Sequence, residues 1–285
     1  MTKPISILQF FEQFPDSDSC LEHLMNTRFG NPLDCPKCGK HGRYHRQKKR
    51  PVYECQWCSH NISPMAGTPF EGSRTPLTKW FYAMYLFTTS RHGVPAKELQ
   101  RQLSVTYKCA WRMGHEIRKY MAKVDGDNGL SGHVEVDETY VGGKRSGKRG
   151  RGAAGKTVVF GMLERNGDVM TKVVPDAKTK TLNPIIQSNV KKASTISSDE
   201  WHAYKNLGKQ GYQHGTVEHG AEEYVNGIHH VNSIEGFWSR LKNSIRGTHV
   251  HVSRKHLPKY LGEFEYRYNM RANPSLMFDR LLASF

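Results

Sequence analysis

The sequence predicts a mixed α/β (α+β) chain, in which a small cysteine-bearing module and a helical segment precede a mixed sheet flanked by helices. Three observations carry this expectation. Two Cys-x2-Cys pairs stand near the N-terminus, and three helical apolar stripes follow them. Beyond residue 132 the hydrophobic period changes to alternation, in the order strand, strand, strand, helix, strand, with a later helix. That order suits a mixed layer rather than an all-parallel one. The expected segments are 1–70, 71–132 and 133–285.

The first segment rests on Cys35-x2-Cys38 and Cys55-x2-Cys58, sixteen residues apart. Two such knuckles can supply four thiolates at the corners of a tetrahedron. Arg43-Tyr44-His45 and Pro51-Val52-Tyr53-Glu54 between them read as a short hairpin, which makes the module a zinc ribbon with one structural Zn2+. Four thiolates leave no open position, so catalysis by this metal is not expected. Cys20 and Cys109 stand alone and read as semi-buried thiols. The ribbon's turn carries Lys48, Lys49 and Arg50, apt for phosphate contact.

In the second segment, Pro76 opens an apolar helix over 76–91. Ala96–Leu103 and Tyr107–Met121 follow as two more helices, joined by Ser104-Val105-Thr106. Three helices with a short last turn match a helix-turn-helix. Lys108, Arg112 and His115 are expected on or near the exposed side of its recognition helix. Asp125 to Gly132 reads as a linker.

The third segment opens on His133-Val-Glu-Val-Asp-Glu-Thr-Tyr-Val141. Alternation puts Val134 and Val136 on one face, Glu135 and Asp137 on the other. A carboxylate on such a strand is costly unless it is paired or binds a cation. Gly142 and Gly143 end the strand, and a basic loop runs from Lys144 to Lys156. Thr157–Glu164 and Asp168–Val174 read as a hairpin around Arg165-Asn166-Gly167. Thr179–Val190 reads as a helix, and Ser194–Ser198 as a strand delivering Asp199. A late helix spans Val231–Ile245. On it Ile234, Trp238, Leu241 and Ile245 form one stripe, and Glu235, Ser239, Lys242 and Arg246 the next.

Asp137, Asp199 and Glu235 therefore come from a strand, a strand end and a covering helix. Three such carboxylates suit two hard cations, Mg2+ or Mn2+, which keep open positions for phosphate. Lys242 and Arg246 would lie along the edge where phosphates arrive. Glu138 is expected to face away from Asp137. Glu135 shares its face but lies roughly 7 Å back along the strand.

Charge bears on the partner. The chain carries 42 Lys and Arg against 26 Asp and Glu, net +16, so a polyanion is the expected partner. Yet residues 133–143 hold three acids and no Lys or Arg, while 35–60 and 144–156 are strongly basic. Basic regions surround an acidic island. The longest apolar run, Trp80–Phe87, has eight residues, where a membrane helix needs about 20. No signal peptide is evident, so the cytoplasm is the expected compartment.

The motifs resemble bacterial insertion-sequence transposases of the DDE class, in the subgroup with an N-terminal zinc ribbon. The resemblance lies in Phe14-Pro15, Cys35-Pro-Lys-Cys-Gly39, Val136-Asp-Glu-Thr-Tyr-Val-Gly-Gly-Lys144 and Ser198-Asp-Glu-Trp-His-Ala-Tyr204. It continues in Val231-Asn-Ser-Ile-Glu-Gly-Phe-Trp-Ser-Arg-Leu-Lys242, Lys255-His-Leu-Pro-Lys-Tyr-Leu261 and Glu265-Tyr-Arg-Tyr-Asn269. It implies a ribonuclease H-like catalytic domain whose metal-binding acids fall on Asp137, Asp199 and Glu235. Some relatives carry Asn in place of a third acid, which makes Asn232 a second-rank site residue. It further implies cleavage and strand transfer at element ends. The partners would be double-stranded terminal repeats and target DNA, bound by an oligomer at the bacterial nucleoid. A DNA-binding regulator without chemistry accounts for the ribbon, helices and charge, but not for the three acids. A ribonuclease H-like nuclease that cuts without joining is the other alternative.

Overall fold

A computed structural model describes residues 5–124, 129–142 and 155–285. Most of the expected basic loop, Lys144 to Arg151 included, and part of the expected linker, 125–128, lie outside these residues. The chain divides into two compact units. One holds the residues up to Ser90, Val94–Tyr120 and Ala272–Phe285; the other holds Arg91–Gly93 and Met121–Arg271. These units partition the chain differently from the three segments read from composition, because the last fourteen residues belong with the N-terminal part.

In the first unit, α1 (Ile7–Gln13) and α2 (Ser17–Arg28) each begin on a capping box, Ser6 with Gln9 and Asp16 with Ser19. Each box satisfies two backbone N–H groups that the first turn would leave bare. The ribbon follows. It comprises β1 (Leu33–Asp34) with β2 (His41–Gly42), and then β3 (Tyr44–Arg46), β4 (Tyr53–Cys55) and β5 (Asn61–Ile62) in one antiparallel sheet. Next come α3 (Leu77–Thr89), α4 (Ala96–Leu103) and α5 (Tyr107–Val124), whose last residues from Met121 are counted with the second unit. Ser104 turns the chain after α4 in a left-handed conformation, leaving the three-residue connection expected of a helix-turn-helix. Phe10, Phe14, Phe70, Trp80 and Phe81 are at most 2% exposed and pack ring on ring, with Phe278 of the short helix Met277–Leu282 joining them.

The second unit is built on a five-stranded sheet. Its strands are β6 (His133–Val141), β7 (Thr157–Glu164), β8 (Val169–Val174), β9 (Thr195–Asp199) and β10 (Gln213–Val217), in the spatial order β10-β9-β6-β7-β8. β6, β7 and β8 pair antiparallel, whereas β9 runs parallel to β6 and β10 parallel to β9. This is the mixed order of a ribonuclease H-like sheet. β10 was not anticipated. Gln213-His-Gly-Thr-Val217 has a single large apolar residue, because it is an edge strand whose pairing, not its burial, makes it a strand.

Each face of the sheet has its own cover. Val134, Val136, Phe160, Met162 and Ile196 pack under α6 (Thr179–Asn189) and Ala203-Tyr204. Val141, Val159, Leu163, Val169 and Val217 pack under α7 (Asn232–Ser244) and α8 (Leu257–Asn269). Gly161 faces Asp137 across the β6/β7 pair. A Cβ there would stand 2.4 Å from Trp238 Cζ2, so this glycine is what lets α7 approach. Among the described residues no helix is long and apolar enough to cross a membrane. Gly161→Ala is expected to push Trp238 off the sheet and to lower unfolding stability by about 1–3 kcal/mol, read from the midpoint of a urea titration.

Candidate active site

The site starts from register. The β6/β9 pairing runs His133↔Thr195, Val134↔Ile196, Glu135↔Ser197. Asp137 and Asp199 each lie two residues past the last pair, on the same face of neighbouring parallel strands spaced roughly 4.8 Å apart. α7 crosses above them and brings Glu235 in its first turn. Electrostatics register the crowding. Burial first, then Glu138, Asp199 and Glu235, raise the Asp137 carboxyl well above the usual carboxylate range. Trp238 donates from Nε1 to Asp137 Oδ2 at 3.1 Å, and the Trp201 N–H donates to Asp199 Oδ1 at 3.0 Å. Lys242 stands two turns along from Glu235. Burial lowers its ammonium, while nearby Asp137 and Glu235 favour its charge; Arg246 and Lys156 oppose it.

Glu135 explains why α7 sits there. It is fully buried. Its carboxylate accepts from the backbone N–H of Ser233 at 2.9 Å and of Ile234 at 3.0 Å, and from the Ser233 hydroxyl at 3.0 Å. A carboxylate at a helix N-terminus meets bare N–H groups and the positive end of the helix dipole. Arg165 neutralises it through a 2.8 Å Nε–Oε1 contact. The same guanidinium donates to the carbonyls of Ile228 and His230, at 2.8 and 3.0 Å, and so ties down the approach to α7. Behind it, His133 Nε2 and His229 Nδ1 lie 2.7 and 2.9 Å from the buried Ser197 hydroxyl. Burial and then Arg165 hold both imidazoles below their ordinary range, His133 at about 4.

The other expected residues fall as follows. Asn232 is exposed at the first position of α7, one turn before Glu235. Arg246 is exposed just past the end of α7. Lys48, Lys49 and Arg50 form an exposed turn between β3 and β4. Lys108 and Arg112 are exposed on α5, beside the half-exposed rings of Tyr107 and Trp111. His115 departs from expectation: it is buried and stacks on Trp111 at 3.9 Å, one turn inward from the exposed stripe. Glu138 faces the opposite side of the sheet and accepts from the Tyr204 hydroxyl at 2.7 Å.

In the ribbon, the ligand atoms of Cys35, Cys38, Cys55 and Cys58 all lie within 4.8 Å of one another. The Cys35 and Cys58 sulfurs are 3.6 Å apart. Tetrahedral Zn–S bonds of ~2.3 Å place sulfurs roughly 3.8 Å apart, so the cluster fits a tetrahedral metal site. Among the described residues this is the one group of His, Cys, Asp or Glu side chains gathered closely enough to hold an ion; Asp137, Asp199 and Glu235 do not come together that closely.

Sequence reasoning missed two parts of this arrangement. Arg165 sits in a hairpin turn and gave no signal. Trp238, on the apolar stripe of α7, packs as the stripe implies, and its N–H also meets Asp137.

Two outcomes follow. Glu135→Ala leaves Arg165 uncompensated beside a bare helix end and is expected to cost about 3–5 kcal/mol in denaturant unfolding. Asp137 has a raised folded pKa, so its ionised form destabilises the metal-free protein as pH rises through that pKa. Asp137→Asn is therefore expected to raise the melting temperature at neutral pH, with the gain vanishing in acid, where the native carboxyl is protonated.

Comparison with known proteins gives this geometry its family. Residues 129–269 match the ISXO2-like transposase domain, and residues 15–61 match the transposase zinc-ribbon domain. A protein of transposable element ISH50 from Halobacterium salinarum is 28% identical over 271 residues, covering 88% of this chain and 90% of that protein. A transposase-like protein of Haemophilus influenzae is 30% identical over 101 residues, covering 35% of this chain and 80% of its own length. Among solved structures, a pre-cleavage Mos1 transpososome overlaps 66% of this chain and 73% of its own at a TM-score of 0.30 and 12% identity, too slight an overlap to argue from. The two matched domains and these relatives make the chain a member of the ISXO2-like insertion-sequence transposases, a DDE-class transposase with an N-terminal zinc ribbon.

Proposed function

We propose that this transposase cuts DNA at the ends of its element and joins the freed 3′-hydroxyl to target DNA in one carboxylate site. The observation that supports this reading is that Asp137 and Asp199 each follow, by two residues, the last pair of neighbouring parallel strands, while Glu235 lies in the first turn of α7 and bears on the Asp137 carboxyl. Asp137, Asp199 and Glu235 would hold Mg2+ or Mn2+, two ions per active site. An all-oxygen donor set, in which Asp199 and Glu235 help to raise the Asp137 carboxyl, fits hard cations. When bound, such ions activate an attacking oxygen and stabilise the leaving one.

The chain's own groups have separable tasks. The Trp238 N–H orients the Asp137 carboxylate. Glu135 holds α7 so that Glu235 meets the two aspartates. Lys242 and Arg246 receive phosphate oxygens along the edge of α7, and Asn232 borders the first turn. In cleavage, water attacks the phosphodiester at the element end and the 3′-oxygen leaves. In joining, that 3′-hydroxyl attacks a target phosphodiester, so one P–O bond forms as another breaks. Neither step needs a covalent protein intermediate.

The ribbon cysteines would bind one Zn2+ that closes the fold of a DNA-binding module. Lys48, Lys49 and Arg50 would contact phosphates there, as would Lys108 and Arg112 on α5, so that phosphate contacts position the module. Two element ends must meet, so the working form would be an oligomer on double-stranded DNA, in the cytoplasm at the nucleoid.

Asp137→Asn and Asp199→Asn should abolish nicking of a labelled element end in Mg2+ or Mn2+ while leaving its gel-shift affinity within about twofold. Equal nicking by wild type and variants would refute the assignment. A pre-cut end that is never joined would reduce the activity to that of a nuclease. Neutralising Lys48, Lys49 and Arg50 together should weaken DNA binding and lower its log–log salt slope by about 2 to 3.

A further inference from the structure

α7 does not stop cleanly. It continues through a π-helical turn, Ile245–His249, and the chain then reverses at Val250 with φ 63° and ψ −53°. A 2.7 Å hydrogen bond from the His251 N–H to the His249 carbonyl closes the reversal. This is a γ-turn of the rare, strained hand. A β-branched residue at positive φ is an outlier, and such strain persists only where the surroundings impose it. Here Ile245 and Val252, on either side, are buried in the core beneath α7 and α8. Val250 itself is 81% exposed, so no internal packing offsets the strain. Arg246, Arg254 and Lys255, four and five residues away along the chain, are exposed. The result is a rigid apolar apex in a basic setting, on the same run of chain as Glu235, Lys242 and Arg246.

We propose that Val250 is a wedge for duplex DNA, inserted at a base step of the duplex whose phosphate reacts at the carboxylates. Proteins that kink DNA insert apolar side chains between base steps and surround them with cations. The strain keeps the isopropyl group projecting instead of folding back on Ile245. Val250 lies fifteen residues beyond Glu235. At ~1.5 Å per residue and ~3.4 Å per base step, the wedge meets the duplex roughly six to seven base pairs from the reacting phosphate. The inference rests on the phosphoryl-transfer reading for the presence of that duplex.

The test uses the full chain with Val250→Ala and Val250→Gly. Two probes carry 2-aminopurine roughly six to seven base pairs from the reacting phosphate. One is the terminal sequence of the encoding element and the other an unrelated target duplex. In Ca2+, with no reaction, the wild type should raise the fluorescence of one or both, which identifies the duplex that is wedged. Both variants should lose most of that rise. In Mn2+, Val250→Ala should act about tenfold more slowly on the responding intact duplex. A mismatch at the wedged step should restore it to within about twofold, since the unstacking is then already made. Val250→Gly should melt no lower than the wild type, which separates the loss from misfolding. No fluorescence rise with either duplex, equal rates for variant and wild type, or no rescue by the mismatch would overturn the proposal. A wild type that nicks nothing in Mn2+ would instead defeat the reaction reading, and the Ca2+ fluorescence would still decide the wedge.

Discussion

The active face depends on one buried contact, the Glu135 carboxylate against the first turn of α7. A helix laid across a sheet has a rotation and a position along its axis that apolar packing alone leaves loosely determined. Hydrogen bonds from two backbone N–H groups to one carboxylate remove that freedom, because they tie the helix start to a single point on β6. Arg165 makes the buried charge tolerable and at once secures the carbonyls that lead into the helix. Glu235, two residues past Ser233, is thereby held in the first turn of α7. The acid nearest to Asp137 in sequence on its own face thus serves the scaffold and leaves the site to the other carboxylates.

The same economy appears on the sheet. Asp137 and Asp199 come together because parallel pairing of β6 and β9 aligns residue 135 with residue 197. A slip of one residue would send one acid to the α6 side, where Glu138 already meets Tyr204. Gly161 clears the space in which Trp238 reaches Asp137. Site and core are therefore one construction: the ring that packs the helix onto the sheet also carries the N–H that orients the acid.

Two regions gather groups that resist being together. In the ribbon these are four sulfurs, closed and shaped by tight knuckles. On the sheet they are carboxylates whose charges bear on Asp137, with Lys242 nearby. Soft thiolates in a closed tetrahedron match a structural ion, whereas hard oxygens in an open group match ions that must exchange ligands with phosphate.

Much of this was legible in the sequence, for local reasons. The spacing of four cysteines depends only on knuckle geometry, and the alternation of Val134 to Asp137 only on the pleat. The stripe that joins Glu235 to Lys242 follows from the helical period. What failed to show depended on partners distant in the chain. β10 is a strand because β9 lies beside it, and His115 is buried because of the packing around α5. Arg165 looked like an ordinary turn residue until the chain around 228–235 folded back onto it. Glu135 and Asp137 were equivalent by periodicity. Only the tertiary structure ties Glu135 to the start of α7 and leaves Asp137 facing the Trp238 N–H, since hydrogen bonds across about a hundred residues of chain decide which carboxylate is already taken.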